Sequence, residues 1–314
     1  MNIDTSLIDF FTKATEKAAC GAYPFIGKGD KISADKAAVD NMRNQLNSIN
    51  MASEIVIGEG ELDDAPMLHI GEKVGVGKGS NFDIAVDPVE GTNFVAKNLP
   101  NAISVLAVAN KNCMLKAPET YMEKIAVGKN LPANLLDLDN SIEKNIKLLS
   151  EAKNTTPEKL VACILKRPRH DKIVKSLISL NVKIKFITDG DVMGALLVAD
   201  QNSIVDIYLG IGGGPEGVIA AAALSCLGGQ MQTRLVFEKE IEKKRALEMG
   251  IKDFKKKYNI SDMINGDIIF SATGITSGDI ISGVKDCGSY YETETFILHK
   301  NSKTNKKIKN QLKK

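Results

Sequence analysis

The stretch Asp83-Ile84-Ala85-Val86-Asp87-Pro88-Val89-Glu90-Gly91-Thr92 carries an apolar strand into two carboxylates three residues apart, then a glycine and a hydroxyl. Hard divalent cations such as Mg²⁺ or Mn²⁺ take oxygen ligands. Acids gathered where a strand opens into a turn can converge on one or two ions without leaving charge buried and unpaired. Alone, the segment also reads as a strand ending in an acidic turn. Two segments upstream repeat the pattern.

The short apolar run Glu54-Ile55-Val56-Ile57 is followed by Gly58-Glu59-Gly60-Glu61-Leu62-Asp63-Asp64-Ala65-Pro66. Four carboxylates within six residues repel one another, and a glycine-flanked loop at a strand end suits cations that offset the repulsion. Further upstream, Gly27-Lys28-Gly29-Asp30-Lys31-Ile32-Ser33-Ala34-Asp35 leads into a helical pattern over Ala37–Ile49. Asp35 therefore stands near a helix start, where the role of N-terminal cap fits it as well as that of ligand.

A chain of 314 residues holds one large or two closely associated domains, and 43% apolar with 25% charged residues is the composition of a soluble globular protein. The longest apolar stretch, Val218–Leu227, falls short of the roughly 20 residues that span a bilayer. The N-terminus has no basic region followed by an apolar core, so a cytoplasmic location without membrane attachment is expected. The five cysteines are scattered, with no CxxC pair, and read as reduced core residues. Three histidines, His69, His170 and His299, leave metal binding to carboxylates. The net charge of +2 conceals an asymmetry: of 41 basic residues, seven lie in Lys300–Lys314, and the remaining 34 stand against 39 acids. The body is mildly acidic. The lysine-rich end lacks aromatic interleaving and reads as a solvated, frayed tail, so no nucleic-acid partner is expected.

Strand-like runs recur near 54–57, 82–87, 103–109, 160–166, 183–187, 204–210, 267–272 and 295–299. Helical patterns fall at 6–20, 36–49, 140–152, 170–180, 190–200 and 215–227. Such alternation predicts an α/β fold. A polar break over Lys129–Glu158 sets a boundary near 150, giving an N-terminal domain over residues 1–150 with the acidic motifs, a C-terminal domain over residues 151–299, and a basic tail over residues 300–314.

The C-terminal domain has motifs of its own. Ile164-Leu165-Lys166-Arg167-Pro168-Arg169-His170-Asp171 places cations after a strand and at a helix start, the makings of a phosphate seat, although a surface turn with ordinary ion pairs has the same appearance. Thr188-Asp189-Gly190-Asp191 ends another strand in carboxylates able to take sugar hydroxyls or a cation, or to cap a helix. Gly210-Ile211-Gly212-Gly213-Gly214-Pro215-Glu216-Gly217 lets the backbone, at Gly213 for example, approach a ligand closely. It lacks the order of a P-loop. Glu216, in the first helical turn, suits both the helix dipole and a metal.

These motifs together resemble a known family. The runs GEGELDDAPMLHIGEK (Gly58–Lys73), DIAVDPVEGT (Asp83–Thr92), YMEK (Tyr121–Lys124), RPRHD (Arg167–Asp171), DGD (Asp189–Asp191) and GGGPEG (Gly212–Gly217) are similar to those of the class II, GlpX-type fructose-1,6-bisphosphatases. The resemblance extends from about residue 5 to Thr276. Asp87–Thr92 also resembles the D-P-x-D-G-T signature of the wider lithium-sensitive phosphatases, with Glu90 in place of Asp. The resemblance implies a layered α/β/α/β/α sugar-phosphatase sandwich, Mg²⁺ or Mn²⁺ as cofactor, a sugar bisphosphate as partner, and a homo-oligomer, dimer or tetramer.

By the same resemblance, Asp35, Glu59, Asp87, Glu90 and Glu216 correspond to metal-coordinating carboxylates. Thr92, Glu59 and Asp87 form the catalytic set: Thr92 orients the attacking water, Asp87 bridges the ions, and Glu59 or a neighbour relays the proton. Glu90, Gly91 and Thr92 meet the phosphate to be cleaved, while Tyr121, Arg167, Arg169, Asp189, Asp191, Gly213 and Glu216 line the sugar bisphosphate. Arg167 replaces a lysine common in the family. The chain departs from the family pattern in a shorter segment after Arg234 and in its lysine-rich end. The implied reaction is hydrolysis of the 1-phosphate of fructose 1,6-bisphosphate by metal-activated water, giving fructose 6-phosphate and phosphate for gluconeogenesis. Alternatives are sedoheptulose-1,7-bisphosphatase, inositol-phosphate phosphatase, or a sugar-phosphate sensor without turnover.

Overall fold

The computed structural model describes residues 2–58 and 68–314, and the chain gathers into two units, Met1–Lys116 with Ile264–Lys314, and Ala117–Met263. The first unit opens with helices α1 (Ile8–Ala22) and α2 (Lys31–Leu46), followed by strands β1 (Ser53–Ile57), β2 (Lys73–Val74) and β3 (Phe82–Glu90), the short helix α3 (Thr92–Lys97) and β4 (Ile103–Asn110). The second holds β5 (Tyr121–Val127), α4 (Ile142–Ala152), β6 (Val161–Leu165), α5 (Asp171–Ser179), β7 (Lys183–Ile187) and α6 (Asp191–Leu196). It continues with β8 (Ile207–Gly213), α7 (Gly214–Leu227), β9 (Gln230–Val236), α8 (Glu240–Glu248), β10 (Lys257–Asn259) and α9 (Ile260–Met263). The chain then returns to the first unit with β11 (Ile268–Gly274), β12 (Lys285–Asp286), β13 (Tyr290–His299) and β14 (Thr304–Lys313). This is the α/β class that the alternating patterns predict.

The first sheet runs β12-β13-β11-β4-β3-β1-β2, with β14 paired to β13. β1 and β3 are parallel, whereas β3–β4, β4–β11 and β11–β13 are antiparallel. Central β3 is buried along all nine residues. Ile84, Val86 and Val89 on one of its faces share an apolar core with Phe11 and Ala14 of α1 and Ala38 and Met42 of α2. The second sheet runs β10-β9-β5-β8-β6-β7. Its β6, β7 and β8 are parallel and β5 is antiparallel to β8. Helix α7 is apolar on every side, and its residues Gly217–Leu224 are buried, as a helix without a polar stripe must be.

Three sequence expectations differ from this architecture. The two units do not divide near 150: residues 117–263 form a segment set between β4 and β11, strands that pair with each other (Ala109 opposite Ile268). Helix α2 begins at Lys31, because Asp30 accepts a hydrogen bond from the Ser33 amide at 3.0 Å and serves as its cap. Asp35 is thus inside the helix and not its cap. The tail is not frayed. β14 pairs with β13 from Tyr290–Lys313 to His299–Thr304, and Ile308 packs partly buried against the core of the first unit. Exposed Lys306, Lys307, Lys309 and Lys313 leave this edge strand hydrated and charged, which discourages further strand pairing.

Beneath β14, Glu16 of α1 is 1% exposed and accepts hydrogen bonds from Asn310 Nδ2 (2.7 Å) and the hydroxyls of Thr293 (3.3 Å) and Thr295 (3.4 Å). Burial raises the pKa of Glu16 above the usual carboxylate range, and the three donors only partly oppose it. A raised folded pKa makes this contribution to stability complete below the unfolded pKa and loses it as pH rises through the folded one. Glu16→Gln is therefore expected to raise the melting temperature at pH 7 and to have little effect at pH 4. Ile308→Asp, which puts a charge against the core, is expected to cost about 2–3 kcal/mol in denaturant titration, where a frayed tail would be indifferent.

Candidate functional site

Residues three apart on a regular strand point to opposite faces of the sheet. Asp87 and Glu90 escape that rule through a β-bulge at Pro88. Asp87 lies opposite Val105 and Glu90 opposite Ile103, three steps on β3 against two on β4. Both carboxylates are thereby turned to the same face, and both are buried, 9% and 3% exposed. The Asp87 carboxylate also accepts the Val89 amide at 3.1 Å, which steadies the bulge.

Gly91 follows with φ 89° and ψ 51°, left-handed backbone that only glycine adopts without strain, and an added Cβ would stand 2.7 Å from the Phe94 ring. That turn starts α3 at Thr92, whose side chain is half-buried. Asp35 is buried on α2, which packs against β3 and α3. The carboxylates of Asp35, Asp87 and Glu90 are thus buried on adjoining elements, and oxygen donors of this kind are the ones a hard divalent cation takes. Among the described residues, no three such side chains are grouped closely enough to hold an ion. Glu59, with Glu61, Asp63 and Asp64, lies outside the described residues.

In the second unit the candidates gather at one edge of the sheet because β6, β7 and β8 run parallel and end together, while β5 begins there, Tyr121 opposite Gly213. Arg167 and Arg169 follow β6, Asp189 and Asp191 follow β7, and Gly213 and Glu216 stand at the passage from β8 to α7. The Arg169 guanidinium lies 4.6 Å from the Tyr121 ring centroid and donates from Nε (3.0 Å) and Nη2 (2.7 Å) to the Ile211 carbonyl. It is exposed yet held on two sides. Arg167 Nη1 donates to the Lys166 carbonyl at 3.1 Å.

Asp191 is engaged at both oxygens: Tyr208 Oη donates to Oδ1 and Lys124 Nζ to Oδ2. Gly212 is needed beside it, since a Cβ there would collide with this carboxylate, as one at Gly213 would with that of Glu216. Enclosure raises the pKa of Glu216, Lys124 lowers it, and Asp191 and Asp189 raise it further. A divalent cation at Glu216 would oppose both the desolvation and the repulsion.

Sequence reasoning assigned no role to Lys124, Tyr208 or His170. For Lys124 a signal existed, a lysine at an inward position of the otherwise apolar alternation over Met122–Val127. His170, 0% exposed, bonds the Leu165 carbonyl through Nδ1 (2.6 Å) and accepts the Ile211 amide at Nε2 (2.7 Å). It fastens the end of β6 to β8, next to Arg169.

Residues 5–312 match the family model described as bacterial fructose-1,6-bisphosphatase, glpX-encoded. The chain belongs to this fructose-1,6-bisphosphatase family. It is 43% identical to the class 2 fructose-1,6-bisphosphatase of Haemophilus influenzae over 312 residues, covering 95% of this chain and 93% of that protein. It is 42% identical to fructose-1,6-bisphosphatase 1 class 2 of Escherichia coli, covering 95% and 92%. Among solved structures it is similar to an IMPase of Thermotoga maritima (15% identity, 65% of this chain and 76% of that one, TM-score 0.36). It is also similar to inositol monophosphatase from Anabaena (12% identity, 65% and 73%, TM-score 0.35). The fructose-1,6-bisphosphatase family found is the one that the motifs in the sequence resemble.

The His170 clasp makes a pH prediction for this fructose-1,6-bisphosphatase family member. Burial, with Arg169 nearby, depresses the pKa of His170, and its Nε2 must stay unprotonated to accept from Ile211. A depressed histidine pKa gives stability that is complete above the unfolded value of about 6.5 and is lost as pH falls through the folded one. Thermal melts from pH 8 to 5 are expected to fall less steeply for His170→Leu than for the parent. At pH 8 that variant should be destabilised by about 1–3 kcal/mol for each backbone group left unpaired.

Proposed function

We propose that this chain hydrolyses the 1-phosphate of fructose 1,6-bisphosphate to fructose 6-phosphate and inorganic phosphate. The observation that carries the reading is the match of residues 5–312 to one phosphatase family. Family membership brings dependence on a divalent metal. Mg²⁺ and Mn²⁺ are the ions proposed, and Asp35, Glu59, Asp87, Glu90 and Glu216 are each proposed as a ligand on the family resemblance alone. When bound, such ions neutralise phosphoryl charge and acidify the attacking water.

The chain's own residues do the remaining work. The Gly91 turn presents backbone amides of α3 to the phosphate that is cleaved, and the Thr92 hydroxyl at the same turn orients the water for in-line attack. Glu59 takes the proton from that water. Arg169, flattened against Tyr121 and tied to the Ile211 carbonyl, presents a preorganised fork to the phosphate that does not react, with Arg167 beside it. Asp189 and the Gly213 backbone hold sugar hydroxyls. A homo-oligomer, dimer or tetramer, is proposed on the same resemblance, and a cytoplasmic location on the sequence pattern. Among the described residues, no helix is long and apolar enough to cross a membrane.

A phosphate-release assay tests the reading, with fructose 1,6-bisphosphate, sedoheptulose 1,7-bisphosphate and inositol phosphates as substrates, each with Mg²⁺, Mn²⁺ or excess chelator. Release from the fructose ester that stops with chelator is expected. Full turnover in chelator removes the metal from the mechanism, and greater turnover of another ester reassigns the substrate. Thr92→Ala is expected to lower kcat on the order of 100-fold with little change in KM, as befits a group that acts in the transition state. Arg169→Ala is expected to raise KM much more than it lowers kcat, since a grip on the unreacting phosphate is largely uniform binding. Equal losses in kcat would place Arg169 at the reacting phosphoryl group.

A further inference from the structure

Lys124 is among the largest fully buried side chains of the protein, 1% exposed in the middle of β5. Its stem crosses the first turn of α7 at Gly217, where an added Cβ would lie 2.8 Å from Lys124 Cε. Its ammonium donates to Asp191 Oδ2, and at 2.6 Å to the Gly213 carbonyl. The other end of that same peptide unit, the Gly214 amide, donates to the Thr120 carbonyl at 2.7 Å. Neighbours on either side of the start of β5 therefore pin both polar groups of the Gly213–Gly214 peptide. Asp191 is fixed in turn by the Tyr208 hydroxyl.

Stability does not explain this arrangement. Removing a lysine and a carboxylate from water costs several kcal/mol per ion, and an apolar pair of the same volume would often be as stable. What the charges provide is direction. A peptide held at both ends cannot rotate, and Gly213, the residue that caps α7, fixes where the helix starts and so where Glu216 points.

We propose that Lys124, clamped by Asp191 and Tyr208, is a positioning residue that locks the Gly213–Gly214 peptide and so sets Gly213 and Glu216 for their roles. The inference rests on the reading of Gly213 as a substrate contact and of Glu216 as a metal ligand. It gives Asp191 an inward duty in addition to any contact with the sugar.

Lys124→Met, which keeps the stem and removes the ammonium, tests it through three readouts: thermal melting, fructose 1,6-bisphosphate hydrolysis, and Mn²⁺ affinity from an electron paramagnetic resonance titration of the full chain. The folded variant is expected to lose on the order of 100-fold in kcat/KM and to bind Mn²⁺ about tenfold more weakly, the scale on which groups behind a metal ligand act. A folded variant within twofold of the parent in both overturns the proposal, even if it melts earlier, because stability would then be all that Lys124 provides. If Lys124→Met does not fold, Tyr208→Phe decides. It removes one bond to Asp191 and leaves the lysine in place, and it is expected to lose about tenfold in kcat/KM and to bind Mn²⁺ more weakly, where parent-like values overturn the proposal. A parent inactive on every sugar phosphate would defeat the functional reading instead, and the Mn²⁺ titration would still judge the positioning.

Discussion

One extra residue between Asp87 and Glu90 governs the first unit. Without the bulge, the alternation of β3 would send one carboxylate toward the apolar core of α1 and α2 and the other away from it. With it, Val86 and Val89 both join that core while Asp87 and Glu90 both face away. Pro88 suits the bulge because it has no amide to contribute to a ladder interrupted there. The same register shift delivers the chain into the left-handed Gly91 and the start of α3. Core packing and candidate chemistry therefore depend on a single backbone irregularity, and neither can be altered without the other.

The second unit solves a related problem by strand direction. Parallel β6, β7 and β8 end at a common edge, and antiparallel β5 starts there, so four connections meet. The polar groups at this edge are held from behind. His170 ties the end of β6 to β8, Arg169 rests on Tyr121, and Lys124 and Tyr208 engage Asp191. Groups fixed before a ligand arrives lose less freedom when it binds, which suits these strand ends to the role proposed for them.

What the sequence revealed follows from the kind of signal each element carries. β1, β3, β4, β6 and β11 are rich in Val, Ile and Ala, β7 alternates Lys with apolar residues, and all are visible as strands, while most of the longer helices show through their apolar spacing. β5 was hidden because Glu123 and Lys124 interrupt its apolar run, and the inward lysine is intelligible only once Asp191 is beside it. β14 was hidden by its lysines: the residues that turn inward, Ile308 and Asn310, are outnumbered, and Glu16, which Asn310 reaches, is 294 positions away. Asp35 was placed at a helix start because the cap formed by Asp30 and Ser33 lies in a stretch of glycine and lysine with little apolar periodicity. The candidate residues were legible as motifs at strand ends. Their supports, Lys124, Tyr208 and His170, were not, since each acts on a partner distant in sequence.

The segment 117–263 lies between β4 and β11, adjacent strands near the middle of the first sheet. During synthesis, β4 must wait for nearly half the chain before its partner appears. Bringing β11 to β4 across a disordered loop of that length carries an entropic cost of about 4 kcal/mol by the logarithmic rule for loop closure. A second unit that has already gathered its own sheet shortens the effective loop, and the bridge between Met114 and Ile264 shows how near its two connections come. By that cost, the topology favours a segment 117–263 that consolidates before β4 and β11 pair.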